Sequence, residues 1–109
     1  MTESDKAVSL YSKVPKEYNC AQSVAKAFGR DDLVVSLRSC SGGRAEGGLC
    51  GALYAAMLLL PEVQGEVIQE QFRKMAGDIT CRAIRQRGTT PCTECVRIAA
   101  NFVAENIDQ

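Results

Sequence analysis

Residues 49–60 read LCGALYAAMLLL, the longest apolar stretch in the chain. A helix built from this segment is apolar nearly all round, which predicts the buried centre of a helical bundle. Pro61 ends the stretch, which is too short to cross a bilayer, where about 20 apolar residues are needed. Gly51 interrupts it at a cost of about 1 kcal/mol relative to alanine. A close helix crossing, or access to Cys50, would explain a glycine at this position.

The segments on either side of this stretch have the periodicity of amphipathic helices. Asn19 is a good N-cap with Gln22 placed for a capping box, and Thr90 with Pro91 resembles a helix start. Helices are predicted over residues 4–13, 19–28, 31–37, 65–76, 80–87 and 90–107, with stops at Gly29, Gly77 and Gly88. Met75 and Ile107 are predicted to face inward. No strand is predicted, so the expected fold is all-α, a compact single-domain bundle of about five to seven helices over residues 1–109.

Charge and composition exclude some classes of partner. Lysine plus arginine equals aspartate plus glutamate at 13 each, so the chain has no net attraction to nucleic acid or to an anionic membrane. The first residues lack the basic and apolar regions of a signal peptide, which predicts a cytoplasmic protein. No nucleic-acid or membrane partner is therefore expected. The apolar helix could pack inside one subunit or partly across a homodimer.

Six cysteines and no histidine are the chemical signature of the chain. Cys20, Cys50, Cys81 and Cys92 fall at predicted helix starts, where free N–H groups and the helix dipole favour a thiolate. In a reducing compartment such cysteines are more often catalytic, redox-active or metal-binding than structural disulfides. We expect one fold to bring these four helix starts to one end of the bundle.

Cys92 and Cys95 form a C-x-x-C motif on the first turn of the last helix. Residues three apart share a helix face, so the two sulfurs could pair or bind one metal. Val96 and the missing histidine exclude c-type haem, the lack of strands argues against a thioredoxin fold, and a zinc ribbon needs a second pair. A zinc or iron–sulfur site remains open if Cys20, Cys50 or Cys81 completes the ligand set.

Cys40 and Cys50 flank the only glycine-dense segment, residues 39–48. The segment lacks the G-K-[ST] of a phosphate-binding loop and does not follow a strand. Its backbone could still approach a ligand closely, and Arg44 could hold an anion or stabilise a thiolate. The alternative for Arg44 is an ordinary solvated side chain.

The cysteine pattern resembles the family of redox-active proteins named for its C_GCAxxG_C_C signature. The resemblance covers residues 18–100 and rests on NCAQSV at 19–24, GGLCGA at 47–52, Cys81, and Cys92 ahead of Val96. It implies a small helical redox protein with signature cysteines at Cys20, Cys50, Cys81 and Cys92. Cys40 and Cys95 are additions to that set, and Ala55 stands where the family has glycine.

The predicted function is therefore a cytosolic thiol–disulfide redox protein with an unidentified redox partner. A low-pKa thiolate, Cys92 or Cys50, would attack a partner disulfide, and Cys95 or Cys40 would resolve the mixed disulfide. The alternative is a metal-binding or electron-transfer module in which Cys20, Cys50, Cys81 and Cys92 hold an iron–sulfur cluster or zinc. A helical interaction domain with inert cysteines is the third interpretation. The sequence does not decide whether the chain is an enzyme, although without histidine it has no Ser-His-Asp or Cys-His pair.

Overall fold

The computed structural model describes residues 2–107 of the chain. Over these residues it forms seven α-helices and no β-strand, so the predicted all-α bundle is confirmed. The helices are α1 (Glu3–Tyr11), α2 (Cys20–Ala27), α3 (Asp31–Ser36), α4 (Gly51–Leu59), α5 (Gly65–Ala76), α6 (Cys81–Arg87) and α7 (Cys92–Asn106), with 3-10 turns at Leu37–Ser39, Glu46–Gly48 and Glu62–Gln64.

Helix α4 lies at the centre of the bundle, as its sequence predicts. Ala52, Leu53, Ala55 and Ala56 are fully buried, and the helix packs against α2, α5 and α7. Helix α1 covers α2 and α7. Small side chains on α4 allow this close packing, because alanine adds little bulk between neighbouring helix axes. No helix among residues 2–107 is long and apolar enough to cross a membrane.

Local sequence signals set most helix ends. The predicted capping box at the start of α2 is confirmed, since the Asn19 side chain accepts from the Gln22 N–H while the Gln22 side chain accepts from the Asn19 N–H. Gly77 and Gly88 follow α5 and α6 in the left-handed conformation that glycine adopts without steric penalty. These ends matter because each lies within four residues of a helix that begins with a cysteine, at Cys20, Cys81 or Cys92.

Four details of the predicted helices are wrong. Helix α4 begins at Gly51 rather than at residue 49, with Cys50 as its N-cap, and α7 begins at Cys92 with Pro91, not Thr90, in the cap position. Met75 is 59% exposed and Ile107 is 45% exposed. The inner face of α5 is narrower than the periodicity suggests, and α7 ends at Asn106 before Ile107.

Candidate functional site: a cavity lined by cysteines

Five of the six cysteines line one cavity of about 190 Å³. They are Cys20, Cys50, Cys81, Cys92 and Cys95, and the other lining residues include Tyr11, Lys16, Asn19, Gly42 and Arg85. Each cysteine lies in the first turn of a helix or at its N-cap. A single water needs only about 10–15 Å³, so the cavity has room for part of a small ligand.

A short backbone contact joins two of these helix starts. Leu49 and Thr80 form an isolated antiparallel β-bridge, and the Cys50 N–H donates to the Ile79 carbonyl over 2.8 Å. Thr80 in turn caps α6 by accepting from the Ala83 N–H. The bridge holds the first residues of α4 and α6 side by side, which brings Cys50 and Cys81 to the same cavity.

Asn19 fixes the start of α2 against the rest of the bundle. Besides capping α2, its Nδ2 donates to the carbonyls of Leu37 and Arg38 over 3.1 and 3.0 Å. Gln22 Nε2 donates to the Val34 carbonyl over 2.9 Å. Because a buried polar group needs its partners, these bonds define one position for the first turn of α2 and hence for Cys20.

Gly51 allows α2 to approach the start of α4. A Cβ at this position would lie 2.7 Å from Cys20 Sγ and 2.5 Å from the Cys40 carbonyl oxygen, closer than non-bonded atoms approach. The predicted explanation by a close helix crossing therefore holds. The atoms that need the space are the Cys40 carbonyl oxygen and Cys20 Sγ.

The cavity cysteines differ in their exposure. Cys50 and Cys95 are buried at 6% and 3% exposure, whereas Cys20, Cys81 and Cys92 are partly exposed. The C-x-x-C pair is thus divided between the partly exposed Cys92 and the buried Cys95, one helical turn deeper. Such a gradient provides an outer sulfur for a partner and an inner sulfur that solvent reaches poorly.

The helix starts do not lower the pKa of three of their cysteines as predicted. Burial, followed by the Cys50 and Cys92 thiols, raises the pKa of Cys20 to about 12, although the N–H groups of Ala21 and Ala52 act in the opposite direction. A hydrogen bond with Cys95, followed by burial, raises the pKa of Cys50. The backbone N–H groups of the helix starts lower both pKa values in part, but burial at Cys20, and the Cys95 contact together with burial at Cys50, outweigh them.

Cys81 follows the same rule at the rim of the cavity. Burial raises its pKa, while the nearby Arg85 guanidinium lowers it in part. The prediction that every helix-start cysteine favours a thiolate is therefore wrong for Cys20, Cys50 and Cys81. The physical reason is that several thiols share one cavity, where each additional negative charge would be poorly solvated.

Tyr11 and Lys16 belong to the site although the sequence did not single them out. Burial, followed by the charge of Cys92 and a hydrogen bond with it, raises the pKa of Tyr11 to about 12. Lys16 Nζ lies 3.2 Å from the centroid of the Tyr11 ring and donates to the Tyr11 carbonyl over 2.7 Å. Both residues come from α1 and its following loop, so no local motif links them to the cysteines.

Two residues singled out from the glycine-rich segment do not line the cavity. Cys40 Sγ donates to the Ser36 carbonyl over 3.9 Å, and only its backbone oxygen borders Gly51. Arg44 is exposed and donates to the Ser41 carbonyl and, over 3.5 Å, to the Ser41 hydroxyl. Arg85 is the arginine that lines the cysteine cavity.

The site does not have the arrangement of a preformed metal centre. Among residues 2–107, no group of three or more cysteine or carboxylate side chains is placed to hold a metal ion. The cysteines lie around the walls of the cavity without converging on one point. The predicted four-thiolate set of Cys20, Cys50, Cys81 and Cys92 is therefore not arranged around a single metal ion such as zinc in this geometry.

Comparisons of the chain with protein-family models, with curated proteins and with solved structures give no match. The resemblance to the C_GCAxxG_C_C family thus remains a prediction from the cysteine pattern.

Proposed function

We propose that the protein is a thiol–disulfide exchange protein in which Cys92 attacks a partner disulfide and Cys95 resolves the mixed disulfide. The observation that carries this proposal is the cavity in which five cysteines meet, with a partly exposed and a buried sulfur in one C-x-x-C motif. The cysteine pattern that resembles a redox-active family supports the same function.

Exposure favours Cys92 over Cys50 as the attacking residue. Cys50 is only 6% exposed, and its thiol is held protonated by Cys95 and by burial. Cys92 is partly exposed at the first residue of a fifteen-residue helix, so a partner disulfide can approach its sulfur. A thiolate that a partner can reach is what the first step of exchange requires.

Position favours Cys95 over Cys40 as the resolving residue. Cys95 lines the cavity one helical turn from Cys92, within the range of about 4.4–6.8 Å between Cα atoms that a disulfide needs. Cys40 does not line the cavity, and its thiol donates to Ser36 instead.

The reaction balances as a two-electron exchange. The Cys92 thiolate forms a bond to one sulfur of the partner disulfide, and the other partner sulfur leaves as a thiolate that takes a proton from water. Cys95 then loses its proton and attacks the Cys92 sulfur, releasing the second partner thiol. The partner disulfide is reduced to two thiols, the Cys92–Cys95 pair is oxidised, and an external thiol reverses the sequence.

Cys50 and Tyr11 have supporting roles in this proposal. Cys50 interacts with Cys95 and keeps a second buried thiol beside the resolving sulfur. The pKa of Tyr11 is raised to about 12, so its hydroxyl stays protonated at neutral pH. It can donate a hydrogen bond to the Cys92 sulfur whenever that sulfur is ionised. Such a donor stabilises each thiolate that forms at Cys92.

The proposed chemistry fits a cytoplasmic location and requires only one copy of the chain. Six free cysteines suit a compartment that keeps thiols reduced, such as the cytoplasm. The five cavity cysteines come from one chain, so the chemistry needs no second copy, and the predicted homodimer is not required for it. The redox partner is a protein or small molecule whose disulfide can reach Cys92.

The test uses bis(2-hydroxyethyl) disulfide as a neutral probe. Reduced protein is mixed with the probe, quenched with acid, alkylated and mapped by mass spectrometry. We expect a disulfide between Cys92 and Cys95 in the wild type and a trapped mixed disulfide on Cys92 in Cys95→Ser. Circular dichroism checks that the variant folds, and Cys95→Ala provides a second substitution if serine is not tolerated at this buried position.

Cys40→Ser is the matched control, because it removes a cysteine outside the cavity and should react as the wild type does. The proposal fails if Cys92→Ser consumes the probe as fast as the wild type, or if the wild type forms no disulfide. Elemental analysis of protein purified without oxygen tests the alternative function. Stoichiometric iron or zinc would support the predicted metal-binding module in place of exchange chemistry.

A further inference from the structure

A second groove adjoins the cysteine cavity. It is lined by Gly42, Gly43, Cys81, Arg82, Arg85 and Gln86, with a volume of about 460 Å³. Gly42, Cys81 and Arg85 line both spaces, so the groove opens directly onto the cavity. A molecule in the groove can therefore reach the cysteines without any rearrangement of the helices.

One wall of this groove carries two arginines without carboxylate partners. Arg82 and Arg85 lie three residues apart on α6, which puts them on one face of the helix. No side chain among residues 2–107 forms an ion pair with either, whereas the neighbouring Arg87 pairs with Asp78. Two unpaired guanidinium groups side by side present a fork geometry that suits carboxylates.

The opposite wall is backbone. A Cβ on Gly43 would lie 3.8 Å from the Cys81 Cβ, so the glycine loop packs directly against the rim cysteine. The N–H groups of Gly42 and Gly43 form no hydrogen bond with residues 2–107. The groove thus has two cationic side chains and two free backbone donors, and no carboxylate lines it.

We propose that this groove selects small disulfides that carry carboxylate groups as substrates of the cysteine cavity. The inference rests on the proposed exchange function and adds its substrate class. A carboxylate bound at Arg82 and Arg85 leaves the disulfide bond of the same molecule at the junction with the cavity. The Cys92 thiolate forms a bond to one substrate sulfur, and the other leaves as a thiolate that takes a proton from water.

Three disulfides of similar length and different charge test this inference. They are 3,3′-dithiodipropionate, which is anionic, bis(2-hydroxyethyl) disulfide, which is neutral, and cystamine, which is cationic. We expect the wild type to react faster with the anionic disulfide than the intrinsic reactivities of the three compounds toward a simple thiol predict. This preference should shrink as salt concentration rises, because the arginines are exposed and their charge is screened.

Arg82→Gln/Arg85→Gln should lower the ratio of the anionic to the neutral rate by about fivefold to tenfold, as expected for two charge-assisted contacts. Arg38→Gln/Lys74→Gln is the matched control, because it removes the same charge from exposed positions outside the groove. Arg82→Glu/Arg85→Glu should shift the preference toward cystamine. Taking ratios removes any general effect of Arg85 on thiol reactivity.

The outcomes separate the two proposals. If the wild type reacts with none of the three disulfides, the exchange function itself fails. If it reacts with the neutral disulfide but shows no anionic preference, or if the control variant loses the preference as fully as Arg82→Gln/Arg85→Gln does, the groove is not a carboxylate site. An anionic preference that only the groove variants remove supports the inference.

Discussion

The Sγ atom of Cys20 lies 2.7 Å from the point where a side chain on Gly51 would begin. This closeness joins the start of α2 to the start of α4 and lets Cys20 and Cys50 share one cavity. It also accounts for a glycine in a helix whose other positions are mostly occupied by strong helix formers. The packing of the site, and not the propensity of the helix, decides this residue.

Gly51→Ala should therefore destabilise the protein, although helix propensity alone would favour the alanine by about 1 kcal/mol. The new Cβ would overlap both Cys20 Sγ and the Cys40 carbonyl oxygen, and overpacking of this kind costs about 1–3 kcal/mol. Urea denaturation measures the change. Gly65→Ala is the control, because its Cβ would meet only Met57 Cε at 3.7 Å and should leave stability equal or higher. A Gly51→Ala protein as stable as the wild type would contradict the packing at the site.

The order of cysteine alkylation should follow exposure. In the folded, reduced protein we expect iodoacetamide to modify Cys81 and Cys92 at least about tenfold faster than Cys50 and Cys95, because the reagent needs an accessible thiolate. Mass spectrometry of peptides at increasing times gives the rates. In denaturant all six should react at similar rates. Rapid modification of Cys50 under native conditions would show that the reagent reaches the cavity more easily than the burial of Cys50 indicates.

Stability should fall in alkaline solution because the folded protein keeps its thiols protonated. The pKa of Cys20 is raised from 9.0 to about 12, so its contribution is fully present below about pH 9 and is lost as pH rises toward 12. In that window the unfolded chain binds fewer protons, and the free energy of unfolding declines by up to about 1.4 kcal/mol per pH unit for each such group.

Urea denaturation at pH 8 and pH 10.5 tests this dependence. Lysine and tyrosine ionisation also contributes at high pH, so the comparison is with Cys20→Ala, which should lose less stability between the two pH values than the wild type does. Equal losses in both proteins would mean that Cys20 is not held protonated by its surroundings.

Tyr11→Phe should slow the reaction of Cys92. The variant removes the hydroxyl that hydrogen bonds with Cys92 and keeps the ring beneath Lys16. Without the donor a smaller fraction of the Cys92 thiol is ionised, but each thiolate is more nucleophilic. The net decrease in the alkylation rate of Cys92 should be about threefold. Tyr54→Phe, on a ring outside the cysteine cavity, should leave the rate unchanged. An unchanged rate in Tyr11→Phe would remove the hydroxyl from the proposed mechanism.

The helices and the placement of the cysteines within them could be predicted because their signals are local. The apolar run at 49–60, the Asn19 capping box and the glycines after α5 and α6 act within one or two turns of the chain. The start of α7 was misplaced by one residue, because Pro91 takes the N-cap position although proline favours the first helical position. The faces of Met75 and Ile107 were wrong because periodicity does not show how far a neighbouring helix extends.

An all-α chain with cysteines at four helix starts follows from local sequence alone, because hydrophobic period and capping are properties of neighbouring residues. Contacts between distant segments account for the raised pKa at Cys20, through burial, and at Cys50, through Cys95 and burial. They also bring Tyr11, Lys16 and Arg85 to the cysteines. The dipole acts through N–H groups of the same turn, whereas desolvation depends on remote segments that pack around the sulfur.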